Sequence, residues 1–275
     1  MKHKICILGS ENNWNTKFLV LEMHKLGIEF SLALERQNIP FDGNIYKFFK
    51  NRTTKFIKKF SNGHLKALSS KTFFYWKKIA CRLLFNRSRN FKLLTSDYDD
   101  ESLNNVLRNT SVKYFNHIND SEAHKFFKNS EFDIGVLGGI GILSKQTINC
   151  FKKFCINAHP GPLPQCRGGG ALQNTLSQGF QPSASIHLVT PEIDAGDILK
   201  VVPMNLASSD NIFTVGLKLC IHCSQELALV IFEIMSGKEF IKTSNNGKLY
   251  FWKDCNIDIQ KKAEKNLKLL LAKLP

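Results

Sequence analysis

A chain of 275 residues, 43% hydrophobic and 22% charged, is long enough to bury its own core, which excludes the stapled miniprotein class. Its eight cysteines are scattered through apolar segments, a usage that suits reduced thiols in a cytoplasm. The apolar run after the basic start MKHK is only about five residues, too short for a secretory leader, and no stretch reads as the roughly 20 apolar residues of a membrane span.

The formal charge of +15 is unevenly placed. Between Tyr46 and Lys92 there are 14 Lys and Arg and no Asp or Glu, so the rest of the chain is nearly neutral. The same segment is aromatic, with KFFK, KFIKKF and TFFYWKK. That combination fits a surface for an anionic partner: a nucleotide or phosphate, a nucleic acid, or an acidic membrane. It fits equally an amphipathic helical hairpin that buries its aromatics and solvates its lysines.

In chain order, KICILG (4–9) reads as a buried parallel strand ending in Gly. TKFLVLEMHKLG (16–27) reads as a helix, and EFSLAL (29–34) as the next strand; strand, helix, strand at this spacing is a right-handed βαβ unit. The basic segment interrupts the alternation as two or three inserted helices. A strand follows at VKYFNHI (112–118), then a helix opened by Asp120 and Ser121, a strand at DIGVLGG (133–139), a helix over 143–154 and a strand at CINAH. SASIHLVT (183–190) alternates as a strand does. Ser208, Ser209 and Asp210 offer an N-cap to a long apolar helix over 212–235 that stops at Gly237. Asn-Gly in KTSNNGKLYFW predicts a hairpin, and the last twenty residues a helix. The expected fold class is α/β: a Rossmann-like, mostly parallel twisted sheet flanked by helices. Residues 1–205 form the main domain, with a basic helical insertion at about 46–95 and a small C-terminal extension over 206–275.

CINAHPGPLPQCRGGGAL, beginning at Cys155, carries the chemistry. Alternation puts Asn157 and His159 on one strand face, at a carboxyl end where open α/β sheets bind ligands. An amide that donates and an imidazole that donates or moves a proton form a plausible oxyanion site for acyl transfer. Three prolines stiffen the next loop, while Gly168, Gly169 and Gly170 let backbone approach a ligand closely. PEIDAGDIL places Asp194 after another strand, at what reads as another carboxyl end, within reach of the imidazole.

NAHPGPLPQCRGGGAL followed by SIHLVTPEIDAGDIL resembles the formyltransferase family that uses 10-formyltetrahydrofolate, strongly over about 130–200. The resemblance implies that Asn157, His159 and Asp194 are the catalytic trio, that 10-formyltetrahydrofolate is the co-substrate, and that no metal is needed. It implies a pterin pocket at GGIGILS (138–144), hence Gly141, Ile142 and Leu143 as cofactor-binding residues, joined by Ile193. Cys166 stands where the family often has an aromatic, and Gly161-Pro162 departs from its usual Ser-Leu. Among the family's branches the chain looks most like the sugar N-formyltransferases. These act on nucleotide-linked amino sugars for surface polysaccharides. The glycinamide ribonucleotide and methionyl-tRNA enzymes are the alternatives. The expected substrate is a small anionic nucleotide-linked amino sugar rather than a nucleic acid, and a homodimer is compatible with this reading. Ser10, Asn12, Asn13, Arg167 and His187 are the candidate substrate-binding residues.

Cys220, His222 and Cys223 share a predicted helix with no second ligand pair, so packing is the simpler account. Arg167 reads more as a loop anchor than as a catalytic group. A non-catalytic nucleic-acid or membrane-surface binder on the same scaffold is the competing class, although it would have no reason to keep Asn, His and Asp together. Neutralising Lys58, Lys59, Lys77 and Lys78 is expected to raise the apparent KM for an anionic acceptor; unchanged kinetics at low salt would make the segment structural.

Overall fold

The computed structural model describes residues 3–36 and 89–274. The chain divides into two compact units, residues 1–36 with 94–275, and residues 37–93. Most of the basic segment, including the four lysines above and the expected inserted helices, lies outside the described residues.

The first unit is built on seven strands: β1 (Ile5–Ser10), β2 (Ser31–Glu35), β3 (Val112–Phe115), β4 (Ile134–Gly138), β5 (Phe154–His159), β7 (Ser183–Leu188) and β8 (Ile198–Pro203), in the spatial order β3-β2-β1-β4-β5-β7-β8. The first five are mutually parallel, whereas β7 runs antiparallel to β5 and β8 antiparallel to β7. The mixed α/β fold with a mostly parallel sheet is therefore as expected. β1 shows why the parallel strands read as unbroken apolar runs: Ile5 and Ile7 enter one core layer, Cys6 and Leu8 the other, and all four are buried.

Helix α1 (Trp14–Lys25) and the long α7 (Ile212–Met235) cover the first face, bringing Phe18, Leu19, Leu227 and Ile231 into its core. α4 (Ser121–Ser130) and α5 (Lys145–Ile148) cover the other, where the abundance of Phe is explained. Phe115, Phe126, Phe127, Phe132 and Phe151 form a ring cluster with centroids 5.2 to 6.4 Å apart. Each fully buried ring contributes about 2 kcal/mol of transfer free energy. The remaining described elements are α2 (Arg89–Leu94), α3 (Asp100–Arg108), α6 (Ala171–Ser177), α8 (Ile257–Leu271), a 3₁₀ turn (Trp252–Asp254) and the short strands β6 (Arg167–Gly168) and β9 (Leu249–Tyr250).

Several local expectations are corrected. The helix expected over 143–154 is one turn, because Lys152 and Lys153 give their N–H groups to Phe132 and Asp133 carbonyls at 2.9 Å and draw the chain into β5. The N-cap of α7 is Asn211, which accepts from the N–H groups of Phe213 and Thr214 in a capping box, not Ser208, Ser209 or Asp210. α7 is long and apolar enough by length and composition to cross a membrane, with 44% of its most apolar window buried.

No hairpin forms at Asn246-Gly247. Thr243 bridges Ile198, and β9 pairs in parallel with β6. Residues 243–250 therefore run as a strap across the loops that follow β5 and β7. The residues expected as an extension, 206–275, lie inside the first unit. A methyl group on Gly247 would sit 1.7 Å from the Pro164 carbonyl oxygen, so the strap and the proline loop are in backbone contact. Gly247→Ala is expected to cost about 1–3 kcal/mol by overpacking, read as a lowered urea midpoint with an unchanged m-value.

Candidate active site

Sheet register creates the first contact of the site. Asn157 and His187 are directly opposed on β5 and β7, and the Asn157 amide Nδ2 lies 3.3 Å from His187 Nε2. Two residues on, His159 opposes Ser185. The Ser185 hydroxyl donates to the Gly161 carbonyl at 2.7 Å and accepts from the Leu163 N–H at 2.9 Å, which pins the proline loop above the strand end.

Asp194 arrives differently from the expectation. Because β7 is antiparallel, its end lies beside the start of β5, and the following loop must turn back to reach His159. The Leu188 N–H, which donates to the Asp197 carbonyl at 2.9 Å, closes that loop, and Asp194 makes the turn with φ +43°. That backbone region is sparsely used by residues other than Gly. The outcome places Asp194 Oδ2 3.2 Å from His159 Nδ1 and Oδ1 3.6 Å from His187 Nε2. Asn157, His187, Asp194 and His159 thus form one continuous polar cluster, drawn from two strands and a loop.

Hydrogen bonding fixes the roles. His187 Nδ1 faces the Leu188 carbonyl at 2.8 Å and must donate there, so the neutral ring offers Nε2 as acceptor to the Asn157 amide. The second Asn157 N–H remains for a ligand. His159 Nε2 faces the Cys166 carbonyl at 2.7 Å while Nδ1 faces Asp194, so both nitrogens meet oxygen acceptors. The protonated ring satisfies both. His159 is only 3% exposed, and its Nε2 is engaged by the Cys166 carbonyl.

The other predicted residues separate into groups. Asn13 caps α1 and donates to the Gly139 carbonyl at 2.8 Å, Ser10 reaches the same carbonyl at 3.3 Å, and Asn12 is exposed with φ +59°. These residues tie the turn after β1 to the end of β4. Gly141 and Ile142 are exposed on their loop, Ile142 by 65%, whereas Leu143 is buried in the phenylalanine core. Asn119, missed in the sequence, orders that loop: it donates to the Ile142 carbonyl at 3.0 Å and accepts from the Ser144 N–H at 2.8 Å. Arg167 is the loop anchor anticipated, its Nε donating to the Ile193 carbonyl at 2.7 Å. Gly168 to Gly170 do permit close approach, but to the chain's own residues 249–255. Among the described residues no cluster could hold a metal.

Two cavities flank the cluster. One of about 110 Å³ is lined by Asn157, the Gly138–Ile140 stretch, Pro160 and the α7 residues Cys220 and Cys223. The other, about 320 Å³, is lined by Ile148, Cys155, Val189, Thr190 and residues 195–197 next to Asp194. The second reaches the lower end of the range for small-molecule pockets. Neither is lined by all three members of the expected trio, and neither by Gly141, Ile142, Leu143 or Ile193.

Burial would raise the Asp194 carboxyl, but the hydrogen bond and charge of His159, the charge of His187 and the Gly168 backbone outweigh it, leaving the group below the ordinary carboxylate range. Burial pushes His187 below its ordinary 6.5, with Asp194 pulling the other way. The folded state therefore binds fewer protons at His187 than the unfolded state does. Its stability contribution is complete above pH 6.5 and is lost as pH falls through 6.5 toward the folded value. His187→Gln is expected to flatten the stability profile just below pH 6.5; denaturation curves that fall in parallel for variant and wild type would contradict this.

The family model described as Formyl transferase matches residues 96–219. A methionyl-tRNA formyltransferase of Buchnera aphidicola is 29% identical over 162 residues, 56% of this chain and 52% of that protein. The chain thus spans about half the length of the curated relatives it matches. By structure, glycinamide ribonucleotide transformylase 1 of Symbiobacterium toebii is 13% identical with a TM-score of 0.54, covering 89% of this chain and 93% of that one. WlaRD, a sugar 3N-formyl transferase determined in the presence of dTDP and 5-N-formyl-THF, is 13% identical with a TM-score of 0.52, covering 100% of this chain and 82% of that one. At such identities the two structures show a shared fold. Both motifs lie inside the matched 96–219 region, and over that stretch the chain is similar to the formyl transferase family.

Proposed function

We propose that the protein is an N-formyltransferase that moves a formyl group from 10-formyltetrahydrofolate to the amine of a small anionic acceptor, a nucleotide-linked amino sugar. The observation that carries this is the Asn157–His187–Asp194–His159 cluster, in which the Asn157 amide is aimed from β5 while its side chain lines a cavity.

In this reading the acceptor nitrogen attacks the formyl carbon, a C–N bond forms, and negative charge grows on the formyl oxygen. The second Asn157 N–H meets that charge, and His187 holds the amide in the donating orientation. Asp194 stays ionised and keeps the His159 ring turned toward it; His159 supplies a second donor once it leaves the Cys166 carbonyl. Collapse breaks the bond to N10 of the cofactor; the amine loses one proton, N10 gains one, and tetrahydrofolate leaves. The cavity of about 320 Å³ beside residues 195–197 is the site we assign to the pterin; Asn119 orders the separate loop that carries Gly141 and Ile142. Ser10, Asn12 and Asn13 are assigned to the acceptor side, with Asn13 and Ser10 acting through the Gly139 backbone.

A second reading is formylation of an aminoacyl-tRNA, favoured by the match to a methionyl-tRNA formyltransferase. One assay separates the two: a panel of nucleotide-linked amino sugars, glycinamide ribonucleotide and charged initiator tRNA, each incubated with 10-formyltetrahydrofolate and read by mass spectrometry. A formylated sugar is expected. In the same assay Asn157→Ala, His159→Ala and Asp194→Ala should each lower turnover by about two orders of magnitude or more with the fold retained by circular dichroism. Near-normal turnover in all three would reject the mechanism.

A further inference from the structure

We propose that Asn245, on the strap, is a positioning residue that holds Asp194 in its working geometry, an inference that rests on the formyl-transfer reading above. Asn245 is 4% exposed, and its Nδ2 donates to the Asp194 carbonyl at 2.6 Å and to the Gly196 carbonyl at 3.3 Å. One amide therefore grips both sides of the turn that carries the carboxylate. The orientation is unambiguous, because two carbonyl oxygens require the nitrogen end. Asn245 Oδ1 is left buried without a partner, so the grip is kept despite an unmet acceptor elsewhere on the same side chain.

The turn needs such a hold. Asp194 is at φ +43°, and a return to negative φ would swing its Cβ, and the carboxylate with it, away from His159 and His187. The neighbouring backbone is held on either side. Arg167 Nε binds the Ile193 carbonyl at 2.7 Å, and its Nη1 reaches the Gly247 carbonyl at 3.4 Å. Thr243 and Ile198 exchange both backbone hydrogen bonds at 2.8 and 2.9 Å. Asn245 is the strap side chain that engages the backbone of Asp194 itself. Residues nearly fifty positions downstream of the second motif thereby complete the site without touching a reacting atom.

The test compares Asn245→Ala with Asn266→Ala. Asn266 makes the same kind of double contact, Nδ2 to the Leu176 and Ser177 carbonyls at 2.8 and 3.0 Å, in a part of the unit outside the cluster. With saturating donor and acceptor, Asn245→Ala is expected to lower kcat by about 10- to 100-fold, the loss typical of a misplaced catalytic group, while both KM values stay within about twofold. Asn245→Ser, which keeps a short donor, should recover part of the loss. Asn266→Ala should leave kcat unchanged. The ring Cε1–H resonance of His187, followed against pH by NMR, should titrate differently in Asn245→Ala and as in wild type in Asn266→Ala.

Wild-type kcat and an unshifted His187 titration in folded Asn245→Ala would overturn the proposal. If wild-type protein formylates no amine offered, the formyl-transfer reading fails, and the His187 titration still decides whether Asn245 positions Asp194.

Discussion

A carboxylate removed from most of its water persists as a charge only where other groups replace that water. Asp194, with its side chain 18% exposed, meets that condition between two imidazoles and a backbone N–H. Each remaining feature of the site follows from its position. His159 is turned toward it, His187 is kept neutral beside it, and through His187 the Asn157 amide is set in a single orientation. Remove the carboxylate and two buried rings lose the charge they share, although His187 keeps the Leu188 carbonyl and His159 the Cys166 carbonyl.

Holding that charge requires the loop after β7 to turn against the run of the sheet. An antiparallel β7 places its carboxyl end beside the amino end of β5, so Asp194 can reach His159 only through the left-handed turn at residue 194. The strap over 243–250 supplies contacts that stabilise this turn from outside, in backbone contact with Pro164 at Gly247 and paired with β6. The three glycines after Arg167, which suggest room for a ligand, instead make room for residues 249–255 of the same chain. Sheet, turn and strap form one mechanical unit, with the proline loop pinned by Ser185 above it.

The two core layers divide the labour. The α1 and α7 face is aliphatic and carries the small cavity at Asn157, whereas the opposite face is aromatic and supports the wall near the larger cavity through Phe151. That ring cluster underlies a loop ordered by Asn119.

Local sequence was sufficient wherever physics acts over a few residues. The apolar runs of β1, β4 and β5, the stop at Gly237, and the alternation that sets Asn157 and His159 on one face were all legible, because burial on both sides of a parallel sheet leaves an unbroken apolar signature. The choice of Asn, His and Asp was legible from the motifs and the family they resemble. Apart from the approach of Asp194 to His159, what escaped were features decided by partners far along the chain. The direction of β7 depends on which neighbour it pairs with, the truncation of the 143–154 helix on hydrogen bonds to Phe132 and Asp133, and the course of the strap on Ile198, Arg167 and Pro164. The sequence by itself offered the groups that could do the chemistry, His187 among the candidates; only tertiary structure brought Asn245 to them, because a contact between residues tens of positions apart leaves no periodicity to read.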